Sequence, residues 1–189
     1  MKMLTLVLLA GCAERIGPPP NDNPDAAPAP IDGDATVEPT GPVRTMQNPD
    51  GSATSVIDSS SMTLWTYLDI DSFTATDEAG PWALRFQRFH ISTAEGTEVA
   101  PVDAAFDAVT SPPATGWVHD QDTDGNGTIE FAFDQGDGWY DYNVDTHVLT
   151  PKPLVWVVRS PTTTLKLEFE KYYDSAGTAG FFTLTWRRM

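Results

Sequence analysis

The sequence predicts an all-β protein, a single domain of short antiparallel strands arranged as stacked sheets, a sandwich or a barrel. Three observations predict it. Several runs alternate apolar and polar residues with period two, the spacing that sends successive side chains to opposite faces of a strand. The six Trp, nine Phe and five Tyr all lie beyond residue 60, and such side chains suit the half-buried surface of a sheet. Turn-forming Gly, Pro, Asn and Asp separate nearly every pair of these runs.

The elements follow in order. Met62 to Ile70 alternates, and Trp82 to Ile91 is an aromatic-rich strand. Val102 to Val109 is the one helix candidate, and it is short. Thr128 to Phe133 alternates again. Trp139 to Leu149 reads as a strand broken by a turn at Asn143 to Thr146. Leu154 to Val158 is apolar at every position, the signature of a strand buried on both faces. In Thr164 to Tyr173, Leu165, Leu167 and Phe169 point one way and Lys166, Glu168 and Glu170 the other. A turn at Asp174 to Gly177 leads to a last strand from Phe181 to Trp186.

The chain ahead of these strands has a different composition. Ala13 to about Pro42 is rich in Pro, Ala, Asp and Asn and has no aromatic residue. Such a segment buries too little apolar surface to fold and behaves as an extended, semi-rigid spacer. The expected organisation is a signal peptide over residues 1–11, a linker over 12–54 and one β-domain over 55–189. Lys2, the short apolar run Met3 to Leu9 and the sequence Leu9-Ala10-Gly11-Cys12 resemble a bacterial lipoprotein signal. In such signals the cysteine carries the lipid. The run is too short for a membrane-spanning helix, which needs about 20 apolar residues. The resemblance implies export, a membrane tether through Cys12 and, with Ala13 rather than Asp behind it, the outer membrane.

Charge and cysteine content exclude several functions. The formal net charge is −16 with a pI near 4.2, which disfavours nucleic acid as a partner. Cys12 is the only cysteine, so an intrachain disulfide is impossible, and Cys-based metal sites and thiol catalysis fall away once that thiol carries lipid. No nucleophile elbow, His-Glu-x-x-His, phosphate-binding glycine loop or dinucleotide fingerprint occurs. Ser59, Ser60 and Ser61 have no base near them in sequence. The expectation is a binding protein, not an enzyme.

Two constellations carry possible ligand chemistry. Asp122-Thr123-Asp124-Gly125-Asn126-Gly127-Thr128-Ile129-Glu130 places oxygen ligands at alternate positions, as the first nine positions of an EF-hand loop do. Asp122, Asp124, Asn126 and Thr128 are the candidate calcium ligands. Phe133 stands where the twelfth-position Glu belongs, and the flanks read as strand. A weak calcium site, in the range of about 0.1–1 mM, and a plain Asp/Asn/Gly-rich surface hairpin are both open. The histidines are His90, His119 and His147. Neutral imidazole holds metals and haem iron, and each of the three also suits a structural role.

Blocks from Trp139-Tyr140-Asp141-Tyr142 through Thr146-His147-Val148-Leu149-Thr150-Pro151, Val155-Trp156-Val157-Val158-Arg159, Leu165-Lys166-Leu167 and Tyr172-Tyr173-Asp174, with Trp82 to Phe89 upstream, resemble the HmuY family of haem-binding bacterial lipoproteins. The resemblance runs from about residue 61 to the C-terminus. It implies an all-β fold and capture of haem, or a related tetrapyrrole, for transfer to an outer-membrane receptor. It also implies iron held by two axial side chains, with His147 the better match and His119 the second ligand. A methionine pair is disfavoured, because Met46, Met62 and Met189 are the only methionines beyond the signal. Trp117, Trp139 and Tyr140 are candidates to stack on the ring, and Lys152 and Arg159 to offset its acids. The competing expectation is a surface β-domain without haem, steadied by calcium and serving adhesion or assembly.

Overall fold

A computed structural model describes residues 41–189, so Cys12, the expected signal peptide and most of the linker lie outside the described residues. Among the described residues twelve strands form three antiparallel sheets. The large sheet has six strands: β1 (Val43–Gln47), β2 (Ala53–Asp58), β7 (Glu98–Val102), β10 (Val155–Arg159), β11 (Thr164–Tyr173) and β12 (Ala179–Arg188). Their spatial order is β1-β2-β12-β11-β10-β7. The small sheet contains β3 (Thr66–Asp69), β4 (Thr74–Thr76), β5 (Leu84–Gln87) and β6 (His90–Thr93), ordered β4-β3-β5-β6. A separate hairpin pairs β8 (Tyr140–Asn143) with β9 (Val148–Pro151).

The two sheets share one core, as their alternation requires. Leu68, Leu84, Phe86 and Ile91 of the small sheet meet Ile57, Leu165, Leu167, Phe169, Phe182 and Leu184 of the large one. Phe86 and Phe182 touch edge to face across the interface, their centroids 5.2 Å apart. Trp139 fills the centre, fully buried against Phe169, Tyr172 and Phe182. Its indole N–H donates to the Phe89 carbonyl at 3.2 Å, so the ring buries without an unmet donor.

Strand β11 shows how register sets this core. Leu165, Leu167 and Phe169 face inward as the alternation predicts. The pairing with β12 then shifts between Phe169 and Lys171, and again before Tyr173. A bulge of this kind re-aims the following side chains, and Tyr172, not Lys171, becomes the next buried residue. Strand β10 is buried on both faces, as its unbroken apolar run predicts. Trp156 and Val158 lie in the main core, while Val155 and Val157 pack under Val102, Ala104, Phe106, Val109 and Trp117.

Several boundaries differ from the sequence expectation. Strands β1 and β2 bring residues 43–58 into the large sheet, so the sheet begins within the C-terminal end of the segment expected as linker. The cause is a polar outer face: only alternate residues of β2 are buried. Val102 to Val109 forms no α-helix; it holds a single 3-10 turn at Phe106–Ala108. The expected strand at Thr128 to Phe133 is a lone bridge between Gln121 and Glu130 followed by a 3-10 turn, Ala132–Asp134, that buries Ala132 and Phe133. The expected strand from Trp82 to Ile91 is a hairpin turning at Arg88 and Phe89. Arg88 sits at φ +51°, a conformation that sequence alone does not signal for arginine. The turn is held because Arg88 N–H donates to Ser59 O at 2.7 Å while Ser59 Oγ donates back to Arg88 O at 2.9 Å.

Candidate functional site

The β6–β7 connection, which joins the small sheet to the large one, borders a cleft of about 510 Å³. Its lining includes Arg85, Ser92, Glu95, His119, Asp120 and Ile129. That volume lies within the ordinary range for small-molecule sites, roughly 300–1,000 Å³.

His119 is carried to the cleft by a backbone fixed on both sides. Val118 pairs with Val99 of β7, each N–H donating to the other's carbonyl, at 2.8 and 2.9 Å. Asp120 accepts the N–H of Thr93 at 3.0 Å and that of Ala132 at 2.8 Å. The His119 carbonyl accepts the Gln135 side-chain amide at 3.0 Å. The imidazole itself is exposed. A rigid backbone with a free ring is a suitable mount for a ligand contact.

His147 stands elsewhere, at the end of the turn between β8 and β9, with φ +56°. Asn143 Oδ1 shapes that turn by accepting the N–H groups of Asp145 and Thr146 at 2.9 and 3.0 Å. His147 Nδ1 lies 2.6 Å from the Tyr142 hydroxyl, which occupies one ring nitrogen and leaves Nε2. His147 does not line the cleft that His119 borders. His90 is half-buried between Phe89 and Phe131, at centroid distances of 4.2 and 5.3 Å, with Nδ1 3.9 Å from Asp134.

The acidic loop adopts a compact form of its own. Asp122 accepts the N–H groups of Gly125 and Gly127, each at 2.7 Å, and that of Asn126 at 3.1 Å. These donors hold its carboxyl below the usual carboxylate range. Asn126 Oδ1 accepts the Thr128 N–H at 2.7 Å. One oxygen each of Asp122, Asp124 and Glu130 fall within 4.8 Å of one another. Glu130 was absent from the predicted ligand set and joins the group because the Gln121–Glu130 bridge folds it back. It accepts from Thr123 N at 2.7 Å and Thr123 Oγ1 at 3.0 Å.

The expected stacking and basic residues are largely committed to structure. Trp139 is core. Trp117 packs over β10 and carries the Arg159 guanidinium at 4.0 Å. Tyr140 packs against Phe89 and Trp139. Arg159 pairs with Glu98 at 2.5 Å, and Lys152 donates to the Asp137 carbonyl and lies 3.6 Å from Asp141. Ser59 is buried and bound to two carbonyls, a bracing role.

Other aromatic residues take the exposed positions. On the outer face of the small sheet Trp65, Trp82 and Tyr67 are half-buried, and Arg85 lies over the indoles of Trp65 and Trp82, at 4.4 and 5.2 Å from their centroids. Trp65 meets Phe131 edge to face at 6.0 Å. Met62, Leu64 and Ile129, nearby in sequence, are exposed. The sequence signal for this face was present in the alternation Leu84-Arg85-Phe86, which sends Arg85 outward.

No family model and no curated protein matches the sequence. Solved structures do match the fold. A protein assigned as an HmuY-like haem-binding protein from Bacteroides vulgatus aligns with TM-score 0.60 at 19% identity, covering 74% of this chain and 93% of that one. A protein assigned as a lipoprotein from Bacteroides fragilis gives 0.58 at 20% identity, covering 75% and 91%. The apo form of an HmuY analogue from Tannerella forsythia gives 0.58 at 15% identity, covering 78% and 96%. The resemblance read from the sequence and the arrangement of the strands agree: the chain has the fold of the HmuY-like haem-binding proteins.

Proposed function

We propose that the protein is a lipid-anchored extracytoplasmic binding protein that captures haem or a related tetrapyrrole as cargo, for hand-over to an outer-membrane receptor. The observation that carries this is the shared fold with a protein assigned to haem binding, which spans nearly all of that protein's length. The residues of this chain fit such a cargo in part. The cleft has a suitable size, an exposed imidazole at His119 and a cation, Arg85, that no carboxylate pairs with among the described residues. His147 offers Nε2 on a separate hairpin. His119 and His147 are the proposed axial pair. Bis-imidazole ligation needs the two nitrogens about 4 Å apart across the iron, given metal–nitrogen bonds near 2 Å, and the pair stands or falls on His147 Nε2 reaching that distance from the His119 ring. Closing both axial positions suits carriage over oxygen chemistry.

The test is a titration of the purified protein with hemin, followed in the Soret band. The proposal expects a sharpened, shifted band with one-to-one stoichiometry, weakened by His119→Ala and by His147→Ala and lost in the double variant. An unchanged wild-type spectrum would overturn haem binding. An unchanged double variant would leave haem binding intact and overturn the axial pair.

A further inference from the structure

Arg85 has a set of contacts unusual for a cation in so acidic a chain. It projects from β5 on the outer face of the small sheet, opposite Ser92 of β6 and Tyr67 of β3. Its Nε donates to Ser92 Oγ at 3.1 Å, and its guanidinium lies over two indole rings. Among the described residues no carboxylate pairs with it. Yet the chain carries 27 Asp and Glu against 11 Lys and Arg, so an acidic partner was readily available.

Two of the three carboxylates that line the same cleft are already engaged. Asp120 spends its two oxygens on the backbone of Thr93 and Ala132. Glu98 pairs with Arg159. Glu95 is exposed on the β6–β7 connection. The cleft presents, beside an exposed imidazole, a guanidinium that no carboxylate pairs with among the described residues.

The two indoles also determine what this guanidinium can bind. Both lie within cation–π distance of it, and with Nε spent on Ser92 its Nη N–H groups remain to meet an acceptor. Both indoles are themselves fixed. Trp82 Nε1 donates to the Glu78 carbonyl at 3.2 Å and its ring meets Tyr67 edge to face at 5.4 Å, while Trp65 leans on Phe131. A guanidinium held this way loses little freedom on meeting a carboxylate and makes two parallel hydrogen bonds to it.

We propose that Arg85 is the carboxylate anchor of the ligand site, gripping an acid group on the edge of a planar tetrapyrrole whose ring lies in the His119 cleft. This rests on the haem reading above and adds to it a named residue for the acid side chains. It also replaces Lys152 and Arg159, whose charges are spent on Asp141 and Glu98. The exposed Ile129 at the cleft wall and Phe131 beside Trp65 offer the ring an apolar border.

The experiment compares hemin with hemin dimethyl ester, in which the acids are masked, titrated into the full chain in the same detergent. The wild type is expected to bind the free acid about tenfold more tightly than the ester, the scale of a charge-assisted bidentate contact. Arg85→Gln is expected to bind both forms alike, at the affinity of the wild type for the ester, and Arg85→Lys to recover part of the preference. A wild type indifferent to esterification overturns the anchor without needing any variant. So does an Arg85→Gln protein that retains the preference while its thermal melt is unchanged. A wild type with no Soret response to either compound overturns the haem reading and the anchor with it.

Discussion

The Tyr142 hydroxyl and His147 Nδ1 lie 2.6 Å apart across the β8–β9 turn. For His147 to offer Nε2 to a metal, Nδ1 must carry the ring proton and the phenol oxygen must accept it. Tyr142 is then a positioning residue that fixes the tautomer and raises the basicity of Nε2. Tyr142→Phe removes the acceptor. Hemin affinity is expected to fall about tenfold, the lower end of the range for such partners, and the reduction midpoint of the complex to rise, because a less basic imidazole stabilises ferric iron less. A midpoint and affinity equal to wild type would show that the contact shapes only the turn.

Lys166 is buried, at 3% exposure, on the outer face of β11. Its ammonium donates to the carbonyls of Phe106 and, at 3.0 Å, Val109, and lies over the Phe106 ring. It thereby pins the 3-10 segment onto β10 and β11. Burial lowers its pKa from the ordinary 10.5, with Arg187 acting the same way and Asp107 and Glu168 opposing. Between the lowered value and 10.5 the unfolded chain holds more proton than the folded one, so this group makes stability rise with pH across that window. Wild type is therefore expected to gain melting temperature relative to Lys166→Met as pH approaches 10.5. At neutral pH the variant is expected to lose about 1–3 kcal/mol, because two carbonyls lose their donor. Parallel pH profiles for the two proteins would refute the burial penalty.

Much of the fold could be read from the sequence because periodicity reports burial directly. Leu165, Leu167 and Phe169 are inward-facing in both, and Val155 to Val158, four of the five residues in the apolar run, form a strand buried on both faces. What escaped were features set by tertiary contacts. The Arg88 turn has no glycine or asparagine, and Ser59 holds it from 29 residues away. The Phe131–Phe133 stretch alternates like a strand but is pulled into a 3-10 turn where Ala132 N–H meets Asp120.

The site divides along the same line. His119 lies on a cleft and His147 on a turn, but which of them shares a cavity with which cation depends on sheet packing. Aromatic identity misled in the same way: Trp139, near the proposed ligands in sequence, is at the centre of the core, whereas Trp65 and Trp82, distant in sequence, flank the cleft arginine.

That contrast is measurable. Trp139→Ala removes a fully buried ring in contact with four other aromatic rings and is expected to cost about 3–5 kcal/mol of stability. Trp82→Ala on the outer face is expected to cost much less, and to weaken hemin binding by freeing Arg85. Denaturant unfolding alongside hemin titration separates the two outcomes. Equal stability losses would mean that Trp82 is as structural as Trp139.

Gly180 sits where β12 passes the Ser59–Ser60 backbone, and this contact ties the small sheet to the large one. Its carbonyl accepts both the N–H and the hydroxyl of Ser59, at 2.7 and 2.9 Å. Ser59 in turn holds the Arg88 turn that joins β5 and β6. A Cβ on Gly180 would fall 2.7 Å from Ser60 Cα and 3.0 Å from Ser60 N, and the backbone stands at φ +91°. Backbone cannot yield as a flexible side chain can, and that φ disfavours any L side chain. Gly180→Ala is therefore expected to lose about 2–3 kcal/mol from strain and clash together. Because β5 carries Arg85, the displacement should also weaken any preference for hemin over its dimethyl ester. Urea unfolding checks the first effect and the ester comparison the second; an alanine variant matching wild type in both would show that the two sheets are not coupled through this junction.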